Sequence, residues 1–160
     1  MTRIRFAQAA DTPVILNFIR ALARYEKLQA DCVATEESLR ATLFGEKPYA
    51  EVLLIEDDTG KAQGFALFFH NYSTFLAKPG IYLEDLFVDP GARGKGYGKA
   101  LLVKLAEIAV ARGCGRLEWS VLDWNQPAID FYLSLGARPM DEWTVYRVDG
   151  DALGALAEAG

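Results

Sequence analysis

Polar and apolar residues alternate from Arg3 to Gln8, so Ile4 and Phe6 share one face of a first strand. The period then changes. Val14, Ile15, Phe18, Ile19, Leu22 and Ala23 recur at helical spacing behind Asp11, a suitable N-cap, and Pro13, which suits a first helical turn. This helix is expected to end near Tyr25-Glu26-Lys27. A shorter one is expected from Thr35, with Leu39 and Leu43 facing inward, ending before Gly45. Strands follow at Ala50 to Glu56, Gly64 to Tyr72 and Gly80 to Val88, and the turn Asp57-Asp58-Thr59-Gly60 makes the first two an antiparallel hairpin.

Leu101, Leu102, Leu105, Ile108 and Ala109 then mark an amphipathic helix that stops at Arg112-Gly113. Because a helix crosses over to reach it, a strand at Arg116 to Leu122 should run parallel to the Gly80 to Val88 strand. Asn125-Gln126-Pro127 opens another helix, with Ile129, Phe131, Leu133 and Leu135 inside and Gly136 closing it. Arg138 to Asp141 and Thr144 to Val148 read as a last pair of strands, and Asp151 to Ala159 as a short terminal helix. The expectation is an α/β fold in the order β-α-α-β-β-β-α-β-α-β-β, with a mixed sheet of about seven strands flanked by helices. Residues 1–160 form one domain in this reading, without repeat, linker or low-complexity segment.

Composition narrows the classes. The chain has 160 residues, of which 51% are hydrophobic and 24% charged, the profile of a globular protein able to bury its own core. A formal net charge of −5 argues against general nucleic-acid binding and favours cationic partners. Cys32 and Cys114 fit no metal-ligand spacing and are expected as buried free thiols; no metal is expected. The start, Met1-Thr2-Arg3-Ile4-Arg5, lacks the apolar core of a signal peptide, and no run approaches a membrane span, so the expected setting is cytoplasmic. His70, the single histidine, is expected on a strand with its ring nitrogens satisfied rather than in catalysis. Trp119, Trp124 and Trp143 are expected in the core or at an interface.

Candidate chemistry concentrates between Tyr82 and Arg112. Arg93-Gly94-Lys95-Gly96-Tyr97-Gly98 lies between a strand and a helix. Alternate glycines at a helix N-terminus let backbone N–H groups approach an anion, and Arg93, Lys95 and Lys99 add positive charge. A pyrophosphate or phosphate ester is the implied ligand. A Walker A loop from Gly91 fails, because Tyr97 and Gly98 stand where Lys and Ser or Thr are needed. A dinucleotide fingerprint from Gly94 fails at Lys99, where its third glycine should be.

With Arg93, Gly96 and Gly98 in its places, the segment resembles the acetyl-coenzyme A loop of the GNAT superfamily of N-acetyltransferases, and the element order is also that of the GNAT fold. Leu22-Ala23-Arg24-Tyr25-Glu26, Tyr82-Leu83-Glu84-Asp85 and Trp124-Asn125-Gln126-Pro127 leading to Phe131-Tyr132 resemble the diamine (spermidine/spermine) acetyltransferases and their thialysine-acetylating relatives. The resemblance implies acetyl-CoA as cofactor. It implies that Leu86, Phe87 and Val88 offer backbone groups to the acetyl and pantetheine arm, where two parallel strands splay apart. Gly94, Lys95, Gly96, Tyr97, Gly98 and Lys99 would hold the pyrophosphate, and Arg93 would bind the cofactor with them. Asn125, Gln126 and Pro127 would touch the pantetheine, and Tyr132 would stand near the thioester sulfur. Tyr25, Glu26 and Glu84 would line the amine cleft.

An alkyl amine with a pKa near ~10.4 is almost wholly protonated at neutral pH, so a base must remove its proton. Glu84 is the candidate, directly or through water, if partial burial and Asp85 raise its pKa. Strict alternation would send Glu84 and Asp85 to opposite faces, and choosing Glu84 rests on the resemblance. Tyr132 is the candidate acid for the departing thiolate, and a strand N–H among Leu86 to Val88 the oxyanion donor. The expected reaction is direct attack in a ternary complex on a small cationic amine, diamines and polyamines ahead of lysine-like amino acids such as thialysine. A non-catalytic acyl-CoA sensor is the alternative. Such relatives are usually homodimers, and Phe68-Phe69-His70-Asn71-Tyr72 with Phe75 would suit an interface or cleft wall.

Overall fold

The structure is a computed structural model that describes residues 2–160. The chain forms two compact units, one reaching to Leu122 and one running from Asp123 to Gly160. The first carries a five-stranded sheet in the order β1 (Arg3–Phe6), β2 (Glu51–Glu56), β3 (Ala62–Ser73), β4 (Lys78–Val88) and β5 (Leu117–Trp119). Neighbours pair antiparallel from β1 to β4, while β4 and β5 run parallel, as the crossover helix requires.

Helix α1 (Thr12–Tyr25) and helix α2 (Glu36–Leu43) cover one face of this sheet. Ile15, Phe18 and Leu22 of α1 and Leu43 of α2 close a core with Val52, Leu54, Phe65 and Phe87. Phe18 stacks on Phe65 with centroids 5.5 Å apart and meets Phe87 at 6.3 Å. Leu16 is also buried, while Val14 is exposed, so the stripe on α1 is rotated from the one expected. Asp11 occupies the N-cap position, but its carboxylate is taken by Arg5 at 2.8 and 2.9 Å and by the Gln8 N–H at 2.7 Å. Thr35 does cap α2, accepting from the Ser38 N–H. Helix α3 (Tyr97–Ala111) packs on the sheet and buries the five apolar residues its spacing singles out.

His70 meets the Gly80 carbonyl through Nδ1 at 2.9 Å, while Arg112 donates to Nε2 at 2.9 Å and also pairs with Glu51. Both ring nitrogens are satisfied, as expected. Cys32 and Cys114 are free but only partly buried.

The second unit holds helix α4 (Gln126–Ser134) and helix α5 (Gly150–Ala157). Arg138 to Asp141 and Thr144 to Val148 are not strands, so the sheet has five and not seven. Alternation makes a strand only where another strand pairs with it. Here Pro139 removes one donor and the Trp143 N–H closes a turn on the Met140 carbonyl. No residue of α4 or α5 is buried, contrary to the inward stripe expected of Ile129, Phe131, Leu133 and Leu135. Trp124 and Trp143 are exposed and Trp119 is partly buried, so none of the tryptophans is a core residue. No helix among the described residues is long and apolar enough to cross a membrane.

Two irregularities in β4 decide the rest. Its ladder with β5 covers only Ile81, Tyr82 and Leu83. Its ladder with β3 runs on to Val88, but Leu67 faces Asp85 and Phe68 faces Leu83, so Glu84 is an extra, bulged residue. Gly64 lets β3 approach the end of this strand, since a Cβ there would lie 2.7 Å from the Phe87 carbonyl oxygen and 3.2 Å from the Val88 Cα. Replacing Gly64 by Ala is expected to destabilise the fold by about 1–3 kcal/mol through overpacking against backbone. A urea midpoint equal to wild type would contradict that close approach.

Candidate active site

Beyond Leu83, no strand among the described residues pairs with the β5-side edge of β4, and this length includes Leu86, Phe87 and Val88. Backbone groups at such an edge call for a partner. An extended arm with amide groups can pair there as an added strand would.

The chain then turns through Pro90–Ala92 into the glycine segment. Gly94 and Gly96 have φ of +83° and +81°, and nothing lies within 4 Å of where a Cβ would stand. Backbone conformation rather than crowding therefore asks for glycine. Gly96 is the N-cap of α3 and caps no N–H with a side chain. The first N–H groups of the helix, at Tyr97, Gly98 and Lys99, lack intrahelical acceptors and sit at the positive end of its dipole. Lys95 and Lys99 are exposed beside them. This donor set fits the phosphates of an acyl-CoA: an open turn, uncapped amides and two cations.

Arg93 behaves differently from the lysines. Its Nε donates to the Val88 carbonyl at 3.1 Å, and its guanidinium carbon lies 5.2 Å from the Tyr25 ring centroid and 5.5 Å from that of Phe87. The side chain is folded back onto β4 and α1.

Three carboxyl groups gather where α1 ends. Glu26 is the C-cap of α1, next to Tyr25. Asp85 stands in the row of Val52 and Leu67, on the face that α1 covers. Its carboxyl is pushed up to about 7, first by burial and then by the charges of Glu84 and Glu26. Glu26 is also raised, by burial and then by Glu84. Glu84 itself is exposed. The bulge breaks the alternation that would separate Glu84 from Asp85, and the charge of Glu84 acts on both other acids. Tyr25, Glu26, Glu84, Leu86 to Val88 and Arg93 to Lys99 are thus brought together within the first unit.

Asn125, Gln126, Pro127 and Tyr132 belong to the second unit. Asn125 is the buried N-cap of α4, its Oδ1 accepting from the Ala128 N–H at 3.4 Å, with Pro127 in the first turn. Tyr132 is half-buried on α4, its ring centroid 5.7 Å from that of Phe131. Among the described residues, no group of three or more His, Cys, Asp or Glu could hold a metal ion.

Residues 19–137 match the model of the acetyltransferase (GNAT) family. The chain belongs to the GNAT family of acetyltransferases. It is 42% identical to thialysine N-epsilon-acetyltransferase of Bos taurus over 164 aligned residues, 96% of each chain. It is 32% identical to spermidine/spermine N(1)-acetyltransferase-like protein 1 of Homo sapiens, a match spanning 94% of this chain and 23% of that protein. Among solved structures, an integron cassette protein of V. cholerae superposes with a TM-score of 0.83 at 30% identity, covering 99% of this chain and 98% of the other. The protein is an acetyl-CoA-dependent N-acetyltransferase.

Within this GNAT site, sequence reasoning passed over Asp85. It looked for partial burial at Glu84, which is exposed, whereas burial falls on Asp85. The available signal was the position of Asp85 two residues from both Leu83 and Phe87 in a strand; the bulge had none. The raised pKa has a cost. Between about pH 4 and 7 the folded chain holds a proton that the unfolded chain has released, so stability falls as pH rises through that window. Above it the full penalty stands, on the order of 4 kcal/mol; below it both states are protonated and the penalty vanishes. Asp85→Asn is therefore expected to be more stable than wild type near pH 8, with an advantage that shrinks toward pH 4. Urea unfolding across that range checks it, and a pH-independent difference would contradict the assignment.

Proposed function

We propose that this enzyme acetylates a terminal primary amine of a small substrate carrying more than one ammonium group. The observation that carries the reading is the gathering of Glu26, Glu84 and Asp85 beside the unpaired length of β4. Acids at one end of a cleft attract and orient cations. Partial desolvation makes Glu26 and Asp85 worth more than they would be in water.

In this reading Leu86, Phe87 and Val88 bind the acetyl and pantetheine arm of acetyl-CoA through their backbone. Gly94 to Lys99 bind the pyrophosphate, and Asn125, Gln126 and Pro127 touch the pantetheine. Acetyl-CoA supplies the activated acyl group. Glu84 takes the proton from the substrate ammonium, directly or through water, and Asp85 behind it is half-ionised near neutral pH and able to share that proton. A strand N–H of Leu86 to Val88 faces the developing oxyanion, and Tyr132 protonates the sulfur that leaves. Tyr25 and Glu26 receive the cationic body of the amine. Attack is direct, without an acyl-enzyme.

Two substrate classes have separate support. The thialysine acetyltransferase at 42% identity favours the side-chain amine of a lysine-like amino acid. The carboxyl cluster, which suits a molecule without a carboxylate of its own, favours a diamine or polyamine. We read the whole chain as one GNAT domain working in the cytoplasm, in keeping with two free cysteines. We read it as a homodimer, with the exposed Tyr72, Phe75 and Leu76 of the β3–β4 hairpin as interface candidates.

Thiol release with acetyl-CoA and putrescine, spermidine, lysine or thialysine is expected to reveal turnover of at least one. Acetylation of a peptide or an aminoglycoside alone would overturn the substrate class. Glu84→Gln and Tyr132→Phe are each expected to lower kcat by about 10²–10⁴-fold. A wild-type protein that binds acetyl-CoA and releases no thiol with any amine would instead be a sensor.

A further inference from the structure

Arg93 begins the glycine turn, where a phosphate ligand would be expected, yet its side chain is committed elsewhere. Its Nε–H is spent on the Val88 carbonyl, the last residue of β4, at 3.1 Å. Its guanidinium lies by two rings from different elements, Tyr25 at the end of α1 and Phe87 of β4, at 5.2 and 5.5 Å. A planar guanidinium can hydrogen-bond at its edge while its faces rest on aromatic rings, which a lysine ammonium cannot reproduce.

These contacts add the glycine turn to two parts that already meet in the core, where Phe87 of β4 packs against Phe18 of α1. Those two are the free-edged end of β4 and α1, which Arg93 meets at its last residue. Immediately after Tyr25, Glu26 caps the helix and Lys27 takes a φ of 61°, so the chain turns away at that point. The Glu26 N–H still donates to the Leu22 carbonyl at 2.9 Å, so a hold on the Tyr25 ring bears on the helix end that carries Glu26. Glu26 feels Glu84, and Asp85 feels both, whereas Arg93 is not among the charges that shift either acid. It holds the acid-bearing end of α1 without neutralising the acids.

We propose that Arg93 is a positioning residue that ties the carrier-binding turn to the amine-binding end of α1, so that filling one orders the other. The inference rests on the functional reading above. A link of this kind makes the two ligands mutually reinforcing, since any coupling between binding sites is reciprocal.

The test compares wild type, Arg93→Ala, Tyr25→Leu and the double variant. Calorimetry gives the CoA dissociation constant, steady-state kinetics give KM and kcat for thialysine and putrescine, and amide exchange follows Tyr25 to Lys27 with and without saturating CoA. Arg93→Ala is expected to raise the amine KM about tenfold while CoA affinity stays within about threefold, and the double variant to be no worse than the poorer single one. CoA should slow exchange at Tyr25 to Lys27 in wild type and leave it unaltered in Arg93→Ala. A tenfold or greater loss of CoA affinity with the amine KM unchanged would make Arg93 a phosphate ligand and overturn the proposal, as would additive effects. Should Arg93→Ala fail to fold, Arg93→Lys keeps the charge without the planar fork and is expected to show the same split; a wild-type profile in it would be equally fatal. The exchange readout needs no amine, so a wrong substrate class would leave it standing.

Discussion

A strand that loses one neighbour halfway along its length is the feature on which the rest of this protein depends. β4 pairs with β5 only as far as Leu83, while β3 accompanies it to Val88. An exposed edge of this kind is usually a liability, open to pairing with anything extended. Here it is short and held from behind. Phe87 packs into the α1 core, Gly64 lets β3 close up against its carbonyl, and Arg93 takes the carbonyl of Val88. Five residues of backbone stay in strand geometry without a second neighbour, pre-organised for an amide-bearing ligand. The glycine turn that follows then delivers α3 with its first N–H groups uncapped.

The same strand sets the electrostatics. One inserted residue, Glu84, shifts the facing pattern so that Leu83 and Phe87 are both buried although they lie on opposite faces of the sheet. Asp85 is thereby carried to the α1 face and into the neighbourhood of Glu26. A carboxyl there costs stability above its ordinary pKa, and no cation among the causes of its shift relieves it. Buried acids left without a cationic partner are a pattern of functional sites, where stability is traded for a charge that a ligand will meet. The acid beside β1 is treated differently. Glu56, the most buried charged residue among those described, lies against Arg3 and Arg5.

Much of this was legible in the residues themselves, because periodicity reports the faces of elements that pack locally. The α3 stripe from Leu101 to Ala109, the hairpin of β2 and β3, and the parallel β5 all follow from spacing and crossover rules. The glycine turn was legible because few other sequences adopt left-handed φ twice in three residues. What was not legible depends on pairing at a distance. Arg138 to Val148 alternates like a strand but has no ladder, and β5 stops after Trp119 because β4 leaves it. The bulge at Glu84 has no mark in composition, so strict alternation set Glu84 and Asp85 on opposite faces and partial burial was looked for at Glu84, which is exposed. Arg93 was correctly placed in the turn, but a motif records residue type and not side-chain direction. The rings that receive its guanidinium lie 68 and six positions away in the chain.

The central claim is that the free edge of β4 and the uncapped start of α3 together hold the acyl carrier. Amide hydrogen exchange on saturation with acetyl-CoA addresses both places in one measurement. The account predicts slowed exchange within Leu86 to Val88 and within Gly94 to Lys99, with little change along β1 and β2. Binding that leaves both segments exchanging as in the free protein, while protecting some other surface, would contradict it.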